Sequence, residues 1–330
     1  MENISVIIPS NHQLDDLIEV ISSVCMQNIK PREIILVNSN PLITSFPESI
    51  IKLCFNNEIE LIFKNELNAM PGHARNIGIG LAKSEIIAFL DVKTIPRREW
   101  LENSIRVLLN KNILIVYGST IFNANNEYER LIRDCFHGVF PCITLPGSVC
   151  RKDIFIKTGQ FIHWVRAGED TEWMSRLKLM KVSSSIHKNA LLDYQGLSGL
   201  NIRKVLEKWF RNYRASRNLP QFYSQRLILW VIFYPFILLI ALNWNYLIAD
   251  WRMESPLFIG HITKIFLIMP VIGYIITRGL ILPYRRGVKA TELLPFRFVK
   301  ISLICFFADM IKVAAFSIPE IKYENKSYKI

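Results

Sequence analysis

The sequence predicts an α/β domain built on a mainly parallel sheet flanked by helices, followed by an all-α membrane region. Three observations lead there. Short β-branched runs alternate with helix-spaced apolar residues through the first 200 positions, uncharged apolar stretches dominate beyond residue 226, and basic residues gather beside those stretches.

With 330 residues the chain exceeds one average domain. Residues 5–9 form a β-branched run closed by Pro9, and Leu14, Leu17, Ile18, Ile21 and Val24 follow at helical spacing. The strand signal returns at 33–37, 60–63 and 86–90, each time after a segment that can be helical. In sheets of this kind ligands bind beyond the carboxyl ends of the strands. That rule singles out Pro9 to Asn11, Asn38 to Asn40 and Asp91 to Lys93. Residues 1–200 read as this domain, 201–226 as a basic amphipathic juxtamembrane segment, 227–318 as the membrane region and 319–330 as a polar tail.

The first residues lack a basic n-region and reach Pro9 after a short apolar run, so they do not read as a signal peptide, and the head is expected in the cytoplasm. The six cysteines form no C-x-x-C pair and have no histidine at zinc spacing, which predicts reduced packing residues. A formal net charge of +12 invites a nucleic-acid reading. The basic residues, however, concentrate at 203–226 and 278–300, beside apolar segments, and so point to an anionic membrane surface and away from a polynucleotide.

Residues 227–248 carry no charge over 22 positions, enough for a helix to cross a hydrocarbon core of about 30 Å. A second expected span covers 257–282, with Lys264 and Arg278 toward its ends. The turn between them is poor in basic residues, whereas the outer flanks are rich in them, so the positive-inside rule places the head and the 285–300 loop on the cytoplasmic face of the inner membrane. The third stretch, 298–318, contains Asp309 and Lys312. With Ser302 and Cys305 they form a narrow polar stripe, which fits either an interfacial helix or a span whose stripe faces its neighbours.

The strings Ser5-Val6-Ile7-Ile8-Pro9, Glu33-Ile34-Ile35-Leu36-Val37, Pro71-Gly72-His73-Ala74-Arg75-Asn76-Ile77-Gly78, Phe89-Leu90-Asp91 and Gly168-Glu169-Asp170-Thr171-Glu172-Trp173 occur in one order over roughly residues 4–180. Together they resemble family 2 glycosyltransferases of the GT-A fold, a nucleotide-sugar-binding domain. The 296–312 segment, a basic and aromatic entry followed by D-x-x-K, is similar to the tail of membrane-attached members that make bacterial surface polysaccharides. The resemblance implies an inverting transferase that moves a sugar from a nucleotide-sugar donor to a membrane, polyprenyl-linked acceptor. The alternative is a transferase-like membrane subunit with altered chemistry that binds nucleotide-sugar or organises a partner enzyme. A processive synthase is disfavoured, since no Q-x-x-R-W motif occurs.

Glycosyl transfer needs a grip on the nucleotide, charge compensation for the departing diphosphate and a base for the acceptor hydroxyl. The resemblance assigns donor binding to Pro9, Asn11, Asn38, Asn40, Gly72, Arg75, Asn76, Asp91 and Lys93. Gly72 leaves room near a ligand, and Arg75 offers a planar fork of donors. Asp91 stands where the family carries the first acid of its D-x-D motif, which implies a divalent cation, Mg or Mn, held there. Lys93 replaces the second acid. Its ammonium could compensate the leaving group, it could be a solvated lysine, or metal could be held through other groups. Glu169 and Asp170 open a helix, where its dipole favours acids. By resemblance Asp170 is the catalytic base and Glu169 its positioning neighbour. His163, Trp164 and Trp173 are expected on the acceptor side.

Overall fold

A computed structural model of the chain describes residues 3–110, 112–187, 189, 191–199, 201–217, 219, 226–247 and 252–317. The first half alternates as its periodicity predicts. β1 (Ile4–Ser10), α1 (Leu14–Cys25), β2 (Glu33–Asn38), α2 (Glu48–Asn56), β3 (Glu60–Asn65), α3 (Pro71–Leu81) and β4 (Ile86–Phe89) follow in turn. β1 pairs in parallel with β2 and β4, and β2 with β3. Strand β2 is buried along its whole length, whereas β3, at the edge, has no fully buried residue.

The expectation of a mainly parallel sheet fails beyond β4. The chain continues through β5 (Thr94–Pro96), α4 (Trp100–Asn110), β6 (Ile115–Phe122), α5 (Glu127–Phe136), β7 (Cys142–Arg151), α6 (Ile154–Thr158), α7 (Glu169–Leu179), β8 (Ser184–Ile186) and β9 (Leu192–Tyr194). Here β7 runs antiparallel to both β4 and β6, and β5 antiparallel to β9. The described strands form one mixed sheet in the order β3-β2-β1-β4-β7-β6-β9-β5, with β8 beside β6. The reason is where α5 goes: the 123–141 connection is long enough for a crossover, but α5 packs against the helices Ile202–Ser216 and Arg297–Ser317, and β7 returns antiparallel.

Both faces of the sheet are covered. Ile4, Val6, Ile8, Ile34 and Leu36 face α1, α2 and α4, a core closed by the buried Trp100, whose Nε1 donates to the Gly147 carbonyl at 2.8 Å. Ile7, Ile35, Val37, Ile87 and Phe89 face α3, α6 and α7. The alternation of side-chain directions along a strand produces both cores from one run. The cysteines are free, and Cys142 alone of the six is not fully buried.

Helix α8 (Ile202–Ser216) begins on Asn201, whose side chain accepts from Lys204 N at 2.8 Å. It is followed by α9 (Arg226–Leu247), α10 (Ile262–Ile275), a π-helical turn (Ile276–Ile281), α11 (Leu282–Arg285), α12 (Ala290–Leu293) and α13 (Arg297–Ser317). α9 and α10 form a hairpin whose far turn is tied by Trp244 Nε1 to the Leu257 carbonyl and by Asn245 to both backbone groups of Ile259. The chain then returns to the head, where Val139 N and Phe140 N both donate to the Arg286 carbonyl. α13 packs on α5 around Cys135, Ile301 and Cys305, with Arg297 bonded to the buried Asp134 at 2.8 Å.

No helix among the described residues is long and apolar enough to cross a membrane. In α9 the described side chains begin at Pro235. The expected span 257–282 starts later as a helix, because His261 adopts a left-handed backbone (φ 57°) just before α10. The polar stripe of α13 faces its neighbours. Asp309 accepts from Arg278 at 2.9 Å and Tyr274 at 2.8 Å, and Lys312 lies over the Tyr213 ring of α8. The expected tail 319–330 lies outside the described residues.

Gly78 sets the seat of α3 on the sheet, since a Cβ there would come within 2.4 Å of Ile7 Cγ2. Gly78→Ala gains about 1 kcal/mol of helix propensity but overpacks a filled interface, which costs about 1–3 kcal/mol. Denaturant unfolding followed by tryptophan fluorescence should rank the wild type above Gly78→Ala and Gly78→Ala above Gly78→Val. A midpoint raised by alanine would show that the contact is loose.

Candidate active site

Three elements converge at the carboxyl end of β4. Gly72 lets the first turn of α3 approach the 159–168 loop so closely that a Cβ would sit 2.0 Å from the Ile162 carbonyl. One turn on, Arg75 is only 3% exposed. Its Nη1 donates to Glu169 at the start of α7 at 2.5 Å, and its Nη2 to Asp91, just past β4, at 3.0 Å. One guanidinium thus joins two carboxylates 78 residues apart in sequence, a geometry suited to its rigid fork. Gly168 makes the sharp entry to α7 in the left-handed region, φ 91°.

The electrostatics follow from burial. Desolvation acts to lower the Arg75 pKa, but the charges of Asp91, Glu169 and Asp170 outweigh it and hold the guanidinium protonated well above its ordinary value. Glu169, 4% exposed, has its pKa raised by desolvation, opposed by Arg75 and reinforced by Asp170. Glu169 Oε2 and Arg75 Nε are buried without a partner in the described structure.

Asp91 and Asp170 both open into a cavity of about 820 Å³. Asp170 makes no ion pair among the described residues; its Oδ1 accepts from Thr171 N at 2.7 Å. The rest of the lining includes Thr94, Tyr117, Thr120, Phe122, Thr144, Lys178, Lys181 and Tyr194. None of these was singled out from the sequence. Tyr117, Thr120, Phe122, Thr144 and Tyr194 come from β6, β7 and β9, strands beyond the four read from the sequence; Thr94 comes from β5, and Lys178 and Lys181 from the end of α7 and the turn after it. Their signal was the hydroxyl pair Thr120 and Thr144, which face each other at 2.6 Å across β6 and β7.

Other predicted residues have different surroundings. Lys93 does not face the cavity as a free cation: its ammonium binds Asp16 of α1, beside His12. Asp16 is pulled below its ordinary pKa, the charge and hydrogen bond of Lys93 overcoming the opposing desolvation. Asn76 is committed to structure, with both ends of its amide bonded to the Phe161 backbone at 2.8 and 3.0 Å. Asn38 is buried, and its amide binds Asn65, Asn40 and Ile43. Asn40 bonds to the His12 carbonyl and to Leu42 N. Pro9 is half-buried and Asn11 exposed at the end of β1. Trp173 is a correction: it is wholly buried, packed on Phe155 and Phe161, and cannot touch an acceptor. His163 and Trp164 are exposed and stack edge to face at 5.0 Å, but neither lines the cavity.

Helix α8 packs behind Phe122 and Tyr194, two strand residues that line the cavity. Trp209 of α8 packs on Phe136 at 3.8 Å, and Phe122 stacks on His137 at 3.6 Å and leans on Tyr194 at 4.9 Å. The Tyr194 hydroxyl has its pKa raised by burial and by the Asp91 charge. Lys208 is lowered by burial and Arg211, with Asp91 acting the other way. His137 is lowered to about 4 by burial, then by the charges of Arg286 and Lys208.

For a metal, the donors present are few. One oxygen of Asp91 is taken by Arg75, the second position of the motif is a lysine bound to Asp16, and no group of three or more His, Cys, Asp or Glu side chains is gathered for an ion among the described residues. The residues do not fit the two-carboxylate cation site that the resemblance implies.

Residues 5–162 match the family model "Glycosyl transferase family 2". The chain carries a family 2 glycosyltransferase domain. Its sheet and helices are those of the GT-A fold. A mannosyltransferase of Pyrobaculum calidifontis, solved with GDP-Man and Mn2+, superposes with a TM-score of 0.52 at 14% identity, over 95% of this chain and 86% of that one. An uncharacterized glycosyltransferase of Rickettsia conorii is 28% identical over 177 residues, 51% of this chain and 28% of the relative. A pre-mycofactocin glycosyltransferase of Mycobacterium tuberculosis is 28% identical over 122 residues, 32% of this chain and 26% of that relative. The matched stretch thus spans under a third of these curated relatives.

Replacing Arg75 by the similarly long but uncharged methionine leaves Glu169 buried without its cation and should cost about 3–5 kcal/mol. Adding Glu169→Gln removes the stranded charge, so the double variant should be more stable than Arg75→Met alone, as read from chemical denaturation midpoints. Strict additivity of the two changes would show that the pair is not coupled.

Proposed function

We propose that the protein is an inverting glycosyltransferase that moves a sugar from a nucleotide-sugar to an acceptor carried at a membrane, in the synthesis of a surface polysaccharide. One observation carries the reading. Asp91 and Asp170 open into one cavity, Arg75 ties Asp91 to Glu169, the residue before Asp170, and Asp170 alone of the two aspartates is free of a cation's hydrogen bond. With the donor diphosphate beside the end of β4, the acceptor hydroxyl enters from the cavity and attacks the anomeric carbon. Its proton passes to the Asp170 carboxylate as the carbon–phosphate oxygen bond breaks and the diphosphate leaves with the electron pair. Glu169 holds Arg75, and through it Asp91, in place. A catalytically altered subunit is the second reading, favoured by the lysine at position 93; turnover of donor separates the two.

The membrane part of the reading rests on exposed apolar surface. Phe236, Leu239 and Leu247 of α9, Ile268, Met269 and Val271 of α10 and Phe307 of α13 are each more than half exposed. Exposed apolar side chains repeated along two paired helices are the kind of surface that a membrane or a partner covers. The hairpin of α9 and α10 leaves the head and comes back to it at Arg286, which supports a topology with the head and the basic loop together on the cytoplasmic side of the inner membrane. A polyprenyl-linked acceptor would then reach the cavity past α8.

Asp170→Asn keeps shape and removes the base, so transfer should fall by about a hundredfold or more, within the usual range for general-base catalysis, while donor affinity and folding stay near wild type. Full activity in that variant would reduce the Gly168 to Trp173 string to a helix start. Topology is read separately: in intact cells, single cysteines at Met253 and Lys289 should react with an impermeant thiol reagent at the first position only. Equal reaction at both would reject the arrangement.

A further inference from the structure

The lining of the cavity gives it two distinct ends. Strand β6 borders it from Tyr117 to Phe122, about 16 Å at the usual strand rise. Phe122 pairs with Tyr194, and Tyr194 with Thr94 just past Asp91, so this is the end where the donor reading places the diphosphate. Tyr117 pairs with Ile186 of β8, at the other end. Helix α7 spans the distance between them. Its Asp170, Thr171, Met174, Ser175 and Lys178 recur at helical spacing and all line the cavity. Lys178 therefore stands about 12 Å further along the helix axis than Asp170. Lys181, in the turn after α7, lines the same far end.

No contact among the described residues uses the charges of these two lysines. Neither pairs with a carboxylate there, whereas Arg176 of the same helix is held by Glu172 at 2.6 Å. A helix C-terminus favours cations, which accounts for Lys178. Lys181 has a left-handed backbone, φ 53°, at the position after a helix that glycine fills with least strain. The two ammonium groups, one turn apart, repel each other, and an oxyanion between them relieves the repulsion. Nearer the middle of the cavity the lining calls for a hydroxyl. Thr144 Oγ1 donates to the Pro146 carbonyl at 2.9 Å, so the proton in its 2.6 Å contact with Thr120 comes from Thr120. The Thr120 oxygen has then spent its proton and keeps only lone pairs, which accept from a ligand O–H. A saccharide with an acidic group beyond its first ring offers both partners.

We propose that Lys178 and Lys181 bind an oxyanion carried by the acceptor, a carboxylate or a phosphate, and so make the enzyme select an anionic acceptor. The inference rests on the transferase reading above and deepens it by naming the class of acceptor. With the attacked hydroxyl at Asp170, the anion lies about 12 Å away, at the far end of α7. That separation puts it beyond the ring that carries the hydroxyl, on a neighbouring sugar or on the phosphate of a lipid link. The compact, mobile ammonium of lysine suits either oxyanion. The lysines take no part in the proton transfer, and their effect is on which acceptor is held.

The test uses the full chain in lipid nanodiscs. Calorimetry measures the affinity for octyl cellobioside, for the same glycoside with glucuronic acid as its terminal sugar, and for farnesyl diphosphate. The proteins are the wild type, Lys178→Gln with Lys181→Gln, and Lys178→Arg with Lys181→Arg. At least one anionic probe should bind the wild type about tenfold or more tightly than octyl cellobioside, the size of a charge-assisted hydrogen bond. The double glutamine variant should lose that advantage with its affinity for octyl cellobioside nearly unchanged, and the double arginine variant should keep most of it. Loss for the glucuronoside puts the anion on the glycan, and loss for farnesyl diphosphate puts it on the lipid link. Melting temperatures should stay together, because both lysines are exposed and hold no ion pair among the described residues. If the double variant melts early, Lys178→Gln alone should show part of the same loss. No advantage for either anionic probe in the wild type, or an advantage that survives the glutamines, overturns the inference. UDP, GDP, ADP and dTDP binding in the same preparations reports on the transferase reading: the affinity should be equal in all three proteins, and its absence from the wild type overturns that reading and the inference with it.

Discussion

The buried guanidinium of Arg75 is the interaction on which the rest of the site depends. A cation taken out of water must find its charge balance nearby, and here the balance comes from the end of β4 and the start of α7. Neither carboxylate could hold its place alone. Asp91 is on a turn open to solvent, and Glu169 begins a helix whose entry is a left-handed glycine. Arg75 fixes the separation of the two segments, and so fixes where Asp170, one residue beyond Glu169, meets the cavity. Gly72 is part of the same constraint, since only a residue without a side chain lets α3 come close enough to deliver the arginine.

Much of this was legible in the sequence. The β-branched runs gave β1 to β4 because a strand buried on both faces must be apolar along its length, and β2 is. Gly72, Arg75, Asp91 and Glu169 stood out as a set, and the fold brings them together. What could not be read was the direction of side chains whose type suits either role. An asparagine can hold a nucleotide or a loop, and Asn76 holds a loop. A tryptophan after two acids can stack on a sugar or fill a core, and Trp173 fills the core because its helix position points back at Phe155 and Phe161. Lys93 was read as a cation for the leaving group or as a solvated lysine, but its ammonium is directed by Asp16, 77 positions away. The lining from β6, β7 and β9 escaped notice because these strands lie beyond the four read from the sequence, and β7 runs against both its neighbours.

The helical half is joined to the head by two different kinds of contact. One is a small core of α5 and α13, with Cys135, Ile301 and Cys305 in it. The other is polar: Arg297 reaches the fully buried Asp134, and Arg286 binds the backbone on both sides of Gly138. Polar bonds of this kind fix orientation more than they add stability. With the Tyr274–Asp309–Arg278 contacts among α10, α13 and the π-helical turn, they set the angle at which an apolar surface meets a polar catalytic head.

The outward face of α5 has a consequence for how the molecule is divided. The family match ends at residue 162, yet β9 completes the sheet only at Tyr194, and Ile132 and Cys135 pack against residues of α8 and α13, up to 170 positions downstream. The stretch recognisable by descent is therefore shorter than the unit that can fold. Evolutionary modularity and thermodynamic autonomy part company in this chain: an exchange of its first 162 residues with a relative would carry the fingerprint across while leaving behind half of the walls that make it a vessel.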